Sequence, residues 1–442
     1  MGNMTLAQGR DSEKATLNRR QVVLGGAGLA GALALGQVSA PARADVVGWR
    51  ADPAVVAEYE STRPGFVFDE REVPPYRLPD PLRSRNGRRV RTPHQWRLRR
   101  QELLDDFRTH VYGRRPRPAE RSRPRFELVE SDPTALGGAA TLKRVLVHTR
   151  HGSRSHRFEV ILFVPNAVTG PAPVFLLLNN RGPENTDPTR ATISPFWPAE
   201  QVVAAGYAIA ALQVGDLAPD DPATFRDGII GLYEDTATTR PRPADAWGAL
   251  SAWAWGASRA LDYFATDRDV DADRAVVVGH SRGGKAALWA GAEDERFAMT
   301  VSNDSGCGGA ALSRRVFGET VARITDDFPH WFCRRFFRYG GAEDRLPVDQ
   351  HELIALLAPR AVCVGSADED LWSDPRGEFL SLAHASSVYG LWFHRGVRPS
   401  AMPPLDRPLR VPARSYHIRS GVHDLTAQDW GYYTGAADRL WR

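Results

Sequence analysis

The feature that most constrains the fold is a Gly-x-Ser-x-Gly motif formed by Gly279, Ser281 and Gly283. A short apolar run at 275–278 precedes it, and a segment with helical character at 285–293 follows it. The glycines allow a sharp turn that lifts the serine hydroxyl to the carboxyl edge of a sheet, where a helix N-terminus can stabilise an oxyanion. The motif alone is weak, but a strand before it and a helix after it make Ser281 the candidate nucleophile.

The flanking sequence predicts a sheet of mixed direction. Alternating stretches at 143–148 and 158–164 are typical of half-buried antiparallel strands. Continuous apolar runs are typical of parallel strands covered on both faces. Such runs occur at 174–178, 207–212, 275–279, 297–301 and 361–364, with helical segments at 244–264 and 285–293. We therefore expect an α/β fold of the α/β-hydrolase type, with a mostly parallel central sheet, antiparallel N-terminal edge strands and helices on both faces.

A nucleophile of this kind requires a carboxylate and then a histidine further along the chain. Residues 414–419 predict the last strand, and the loop after it carries His423, the candidate general base. Two carboxylates compete to orient the imidazole. Asp370 follows the penultimate predicted strand, and Asp304 follows the strand before that one. Strand position favours Asp370, but the sequence leaves the choice open.

The first 44 residues predict an export signal. Arg19 and Arg20 precede a weakly apolar run, and Ala42 and Ala44 form an A-x-A cleavage site, as in a twin-arginine signal peptide. Five basic and two acidic residues lie in this segment, so the net charge of +4 falls to about +1 without it. We expect an exported protein with one catalytic domain over 45–442, no membrane span and no nucleic-acid partner.

The three cysteines lack the spacing of a metal site. Cys363 lies within a predicted strand, so the candidate disulfide of an exported protein joins Cys307 and Cys333, a connectivity that the sequence leaves open. No motif indicates a metal or cofactor, and we expect neither.

Distinctive short segments are spread from about residue 59 to the C-terminus. They are 73–76 (VPPY), 110–113 (HVYG), 279–285 (GHSRGGK), 303–309 (NDSGCGG), 317–320 (FGET), 328–332 (FPHWF), 346–350 (LPVDQ), 369–372 (EDLW) and 421–424 (GVHD). This spaced set resembles the bacterial glucuronoyl esterases of carbohydrate esterase family 15. The resemblance implies hydrolysis of the ester between 4-O-methyl-glucuronic acid of glucuronoxylan and lignin alcohols, and we expect a monomer.

The resemblance implies roles for the reacting groups. Ser281 matches the nucleophile and His423 the base. Asp304 matches the position where many members carry a catalytic Glu, and here the side chain is one methylene shorter. Asp370 matches a second acid of bacterial members. The loop 179–184 departs from the family pattern, so its contacts stay unassigned.

Four further residues match family positions around the substrate. Arg282 resembles the arginine of the oxyanion hole, where a guanidinium adds a charged donor. Lys285 matches a lysine that binds uronic-acid hydroxyls, Glu319 a sugar-hydroxyl acceptor and Trp372 an aromatic pocket wall. Lysine is rare in this chain, which has only three among its 57 basic residues. A lysine at position 285 therefore indicates that the site requires a compact ammonium rather than a guanidinium.

Two other functions compete with this interpretation. One is another exported carbohydrate esterase, such as an acetyl-xylan esterase. The set of Lys285, Glu319 and Trp372 disfavours it, because an acetyl group offers no hydroxyls to bind. The other is a non-catalytic polysaccharide-binding protein with a hydrolase-like fold, which the intact Ser281 and His423 disfavour.

Overall fold

The computed structural model describes residues 48–234, 241–398 and 400–442. Its strands are β1 Arg125–Asp132, β2 Ala140–His151, β3 Arg154–Pro165, β4 Ala172–Asn179, β5 Ala208–Gln213, β6 Val270–His280, β7 Met299–Asn303, β8 Ala361–Ala367, β9 Leu409–Val411 and β10 Arg414–Arg419. Its helices are α1 Pro53–Thr62, α2 Pro93–His110, α3 Arg117–Glu120, α4 Ala199–Ala204, α5 Val214–Leu217, α6 Ile229–Tyr233, α7 Ala249–Phe264, α8 Arg282–Glu293, α9 Val321–Asp327, α10 Gln350–Ala355, α11 Pro375–Tyr389 and α12 Ala427–Trp441. The predicted signal peptide and its cleavage after Ala44 lie outside the described residues and stay predictions.

All ten strands join one sheet in the order β1-β2-β3-β5-β4-β6-β7-β8-β10-β9. From β5 through β10 each neighbouring pair in this order is parallel. The pairs β1·β2, β2·β3 and β3·β5 at one edge, and β10·β9 at the other, are antiparallel. The predicted α/β fold, with a mostly parallel sheet and antiparallel N-terminal strands, is confirmed.

Helices cover both faces of the sheet because side chains alternate along each strand. In β4, Val174, Leu176 and Leu178 pack into a core with residues of α7 and α8. Phe175 and Leu177 pack on the opposite face with residues of α4 and α12. A strand buried on both faces is apolar along nearly its whole length, as β4 is from Ala172 to Leu178. None of the described helices has the length and apolarity needed to cross a bilayer.

The parallel register brings four strand ends to one edge of the sheet. His280, the last residue of β6, pairs with Asn303 of β7, which pairs with Gly365 of β8, which in turn pairs with His417 of β10. Residues that follow these strands therefore lie side by side, and the candidate catalytic residues come from these loops.

The candidate disulfide is a prediction that the structure contradicts. All three cysteines are free and buried. The Sγ atom of Cys333 lies 3.6 Å from the carbonyl oxygen of Thr109, whereas Cys307 bridges through its backbone to Ala311 in the loop after β7. Burial raises the pKa of each thiol, to about 11 for Cys333 and Cys363, which disfavours the thiolate that bond formation requires.

Candidate active site

Ser281 stands on a strained turn between β6 and α8. It occupies the N-cap of α8 with φ 54° and ψ −124°, a left-handed backbone that costs a serine about 1–3 kcal/mol. The turn is tight because the chain folds back on itself: a Cβ atom on Gly279 would lie 2.0 Å from the carbonyl oxygen of Gly283. Gly279 is therefore required by sterics, and the turn leaves the half-buried Ser281 at the carboxyl edge of the sheet.

His423 lies in the loop after β10, as the sequence predicts. Its Nδ1 atom is 2.6 Å from Oδ2 of Asp370, a buried carboxylate in the loop after β8. With Nδ1 engaged, Nε2 is the ring nitrogen available for proton transfer. The ring of His423 lies against that of His280, with centroids 4.5 Å apart, and His280 is the residue immediately before Ser281. The histidine, the acid and the serine are thus gathered at one place.

Asp304 lies close to this pair but is not hydrogen-bonded to it. Its two carboxylate oxygens are buried without a hydrogen-bond partner among the described residues. The nearest charge is Arg419, whose Nη2 atom is 3.6 Å from Oδ2, and Nδ1 of His280 is 4.0 Å from the same oxygen. Burial raises the pKa of Asp304 well above its usual value, and the neighbouring Asp370 adds to the rise. Burial and the neighbouring carboxylates thus shift Asp304 towards its protonated form, and the charge of Arg419 opposes that shift.

The acids and the histidine form a small cluster. One carboxylate oxygen from each of Asp304 and Asp370 and a ring nitrogen of His423 all lie within 4.8 Å of one another. Such a set also meets the ligand preferences of a divalent cation. The expectation of a metal-free site accordingly stays a prediction.

Arg282 is held by an acid that the sequence analysis missed. Its Nη1 atom donates to Oδ2 of Asp220. Oδ1 of Asp220 accepts from the indole nitrogen of Trp331 at 2.6 Å and faces Nε2 of His330 at 2.8 Å. Burial opposes ionisation of Asp220, but these contacts and the guanidinium outweigh it and hold its pKa at about 2. The aspartate therefore remains charged and fixes the guanidinium beside the nucleophile.

Lys285 is a buried charged residue one turn along α8 from Ser281. Its ammonium donates to the carbonyl oxygen of Ser305 at 2.6 Å and lies 3.9 Å from Oε2 of Glu319. Burial raises the pKa of Glu319, and the Lys285 charge counteracts that rise. The ammonium also lies 5.8 Å from the ring centroid of Trp331. A paired lysine and glutamate with an aromatic neighbour can bind adjacent hydroxyls.

Trp372 is covered by the N-terminal helix α1 and the residues after it, a contribution that no sequence signal predicted. The guanidinium of Arg63 lies 4.2 Å from the Trp372 ring centroid, and the ring of Phe66 meets it edge-on at 4.9 Å. The hydroxyl of Tyr59 donates to the carbonyl oxygen of Glu369, next to Asp370. Burial, with the Asp370 charge second, raises the pKa of Tyr59 to about 12, so this donor stays protonated.

Comparisons with known proteins identify the family of this chain. A family model described as glucuronyl esterase, fungi, matches residues 147–392. The chain is 40% identical over 421 residues to carbohydrate esterase MZ0003 of an unknown prokaryotic organism, covering 88% of this chain and 94% of that protein. The solved glucuronoyl esterase of Solibacter usitatus is 38% identical with a TM-score of 0.78, covering 84% of this chain and all of the other. The 4-O-methyl-glucuronoyl methylesterase of Schizophyllum commune is 29% identical over 331 residues, covering 71% of this chain and 72% of its own. A matching family model and a 40% identical relative that is matched over nearly all of its length place this chain in the glucuronoyl esterase family.

Proposed function

We propose that this protein is a serine esterase that hydrolyses the ester between 4-O-methyl-glucuronic acid of glucuronoxylan and lignin alcohols. The observation that carries the proposal is the buried pair of Lys285 and Glu319 one helical turn from a strained Ser281. A serine with a histidine and an acid beside it can act on any ester. A buried ammonium and carboxylate beside that serine fit a sugar acid with free hydroxyls, rather than an acetyl group.

In the proposed mechanism, Ser281 Oγ attacks the ester carbonyl carbon while His423 Nε2 takes its proton. The amide N–H of Arg282 and its guanidinium stabilise the oxyanion that forms. His423 then returns the proton to the departing alcohol. Water activated by the same histidine releases the uronic acid from Ser281. Asp370 holds the tautomer of His423 and stabilises its charged form, for which the 2.6 Å hydrogen bond is the support.

The test compares hydrolysis of benzyl glucuronate with that of an aryl acetate by the wild type and by Lys285→Ala. We expect the variant to lose about one to two powers of ten in kcat/KM on the glucuronate, because a hydrogen bond from a charged group contributes about 1.5–3 kcal/mol. Hydrolysis of the acetate should be spared.

Lys143→Ala is the matched control, since Lys143 is also buried but pairs with Asp267 and Asp269 on the N-terminal edge of the sheet. It should change thermal stability and leave the ratio of the two substrates unaltered. Equal losses on both esters in Lys285→Ala would mean that this lysine supports the turn around Ser281, and the glucuronoyl specificity would have to be abandoned.

We further propose that the chain is exported by the twin-arginine route and acts as a monomer without a nucleic-acid partner. The support for export is the arrangement of Arg19 and Arg20 ahead of the A-x-A site. Sequencing the N-terminus of the protein recovered outside the cytoplasm should give Asp45 first. Light scattering of the purified protein should give the monomer mass.

A further inference from the structure

The loop that departs from the family pattern places an asparagine beside the nucleophile. From Val174 onwards β4 pairs residue for residue with β6, and the last pair is Leu177 with Val278. Asn180 and Ser281 are the first residues after these two strands, so they leave neighbouring strands at the same edge of the sheet. A Cβ atom added to Gly283 would lie 3.0 Å from Oδ1 of Asn180, so this side chain contacts the first turn of α8 directly.

The amide of Asn180 has one buried end and one accessible end. Oδ1 is buried and has no hydrogen-bond partner among the described residues. The residue as a whole is only half-buried, and Nδ2 is the end that reaches solvent. The side-chain NH₂ group of Asn180 is therefore available to donate a hydrogen bond to an oxygen of a substrate bound at Ser281.

The backbone around Asn180 is fixed on both sides. The preceding Asn179 accepts from the amide N–H of Arg181 at 3.0 Å, and its own Nδ2 donates to Oε1 of Gln213 at 2.7 Å. Gln213 in turn donates to the carbonyl oxygen of Arg181 at 2.6 Å. Arg181 donates to Asp424, the neighbour of His423, also at 2.6 Å. The amide of Arg181 is thus already committed, and it cannot serve as the backbone donor that this loop supplies in many hydrolases of this fold.

We propose that Nδ2 of Asn180 is an additional oxyanion donor. When Ser281 Oγ bonds to the carbonyl carbon, the carbonyl π electrons move to oxygen and the serine proton goes to His423. Asn180 and the amide N–H of Arg282 then donate hydrogen bonds to that negative oxygen. As the intermediate collapses, the electrons re-form the carbonyl, the bond to the alcohol breaks, and the alcohol takes the proton. Asn180 is unchanged throughout and acts through charge stabilisation alone.

This inference rests on the proposed esterase function, and its signature differs from that of Lys285. Every ester passes through the same oxyanion, so Asn180→Ala should lower kcat on benzyl glucuronate and on the aryl acetate alike. The loss of one preorganised donor typically costs about 10²-fold in kcat. KM should change less than about threefold, because an interaction made only in the transition state does not alter ground-state binding.

The experiment measures kcat and KM of Asn180→Ala and of the isosteric Asn180→Asp, together with the melting temperature of each. Asn180→Asp should lose more than the alanine variant, because a carboxylate repels the oxyanion. Asn185→Ala is the matched control, since Asn185 is an amide on the same loop that bonds to Gly182 and Ser194. It should keep kcat within about threefold.

A second readout separates catalysis from structure. Inactivation by an active-site phosphonate, which mimics the oxyanion, should slow in Asn180→Ala by the same factor as kcat, whereas inhibition by free glucuronate should not change. A wild-type rate in Asn180→Ala, or a loss that appears as raised KM and weaker glucuronate binding, would overturn the donor role while leaving the esterase intact. A wild type that hydrolyses neither ester would overturn the proposed function itself, and this role with it.

Discussion

Replacing Asp370 with Asn tests which acid serves His423. The substitution keeps the shape of the side chain but removes its charge, and an amide can present its NH₂ group to Nδ1 and thereby impose the wrong tautomer. Asp370 is hydrogen-bonded to Nδ1 at 2.6 Å, whereas Asp304 lies within 4.8 Å without a hydrogen bond. We therefore expect Asp370→Asn to lose far more activity than Asp304→Asn.

The magnitude follows from the two distances. A charge 2.6 Å from the imidazolium stabilises it by about 6.4 kcal/mol at an effective dielectric constant of about 20, and one at 4.8 Å, the outer limit for the Asp304 carboxylate, by about 3.5 kcal/mol. Once the Asp370 charge is gone, one cause of the raised pKa of Asp304 disappears, so Asp304 can ionise and act as a substitute. The remaining difference of about 3 kcal/mol corresponds to about 10²-fold in kcat. A fixed wrong tautomer would extend the loss towards about 10⁴-fold.

The assay is kcat on benzyl glucuronate for both single variants and the double variant. Asp370→Asn should fall by about 10² to 10⁴-fold and Asp304→Asn by less than about tenfold. If Asp304 substitutes as argued, the double variant falls below Asp370→Asn. A larger loss in Asp304→Asn than in Asp370→Asn would refute the assignment and show that the shorter acid reaches the histidine during the reaction.

Three further predictions test the rest of the site. Ser281→Ala should lower kcat for ester hydrolysis by about 10⁴-fold or more and leave the melting temperature unchanged. A kcat near that of the wild type would disprove the mechanism. Asp220→Asn should lower kcat by about tenfold because it frees the guanidinium of Arg282, whereas Asp221→Asn, at the exposed neighbour, should leave kcat unchanged. Equal kcat values for the two variants would show that catalysis does not require Asp220 to hold Arg282. Asp304→Asn should raise the melting temperature at pH 7.5 but not near pH 3. Folding raises the pKa of Asp304, so between the unfolded and the folded pKa this carboxyl lowers the free energy of unfolding by about 1.4 kcal/mol for each pH unit. The substitution removes this cost, which is absent below the ordinary aspartate pKa. A gain that is equal at both pH values would contradict this origin.

Local patterns predicted the sheet well because its strands are buried on both faces. The run at 174–178 lies within β4, and the predicted last strand coincides with β10, Arg414–Arg419. Helix α7 begins at Ala249 rather than at 244, because the preceding residues bond to distant backbone: Gly248 donates to the carbonyl oxygen of Tyr112. Long-range partners of this kind leave no periodic signal.

In the candidate site, too, the residues at strand ends could be predicted from the sequence, whereas the contacts between distant segments could not. The positions of Ser281 and His423 could be predicted because the fold places such residues at defined strand ends. The acid was left open because two adjacent strands end in aspartates, and only the spatial arrangement distinguishes the 2.6 Å contact of Asp370. Asp220 was missed, since it comes from a segment with no motif and reaches Arg282 across 62 residues of sequence. The cysteine pairing was wrong because cysteine number does not specify proximity.

The covering of Trp372 by the N-terminal region has a consequence for how the enzyme loses activity. Helix α1 has no buried side chain, yet its Tyr59 reaches across 310 residues to the loop that carries Asp370. An element whose side chains are only partly buried opens locally at a lower free energy than the fully buried strands of the sheet. On heating, α1 should detach first, so hydrolysis will fail at a temperature where the circular dichroism of the sheet is still native, and cooling will restore it.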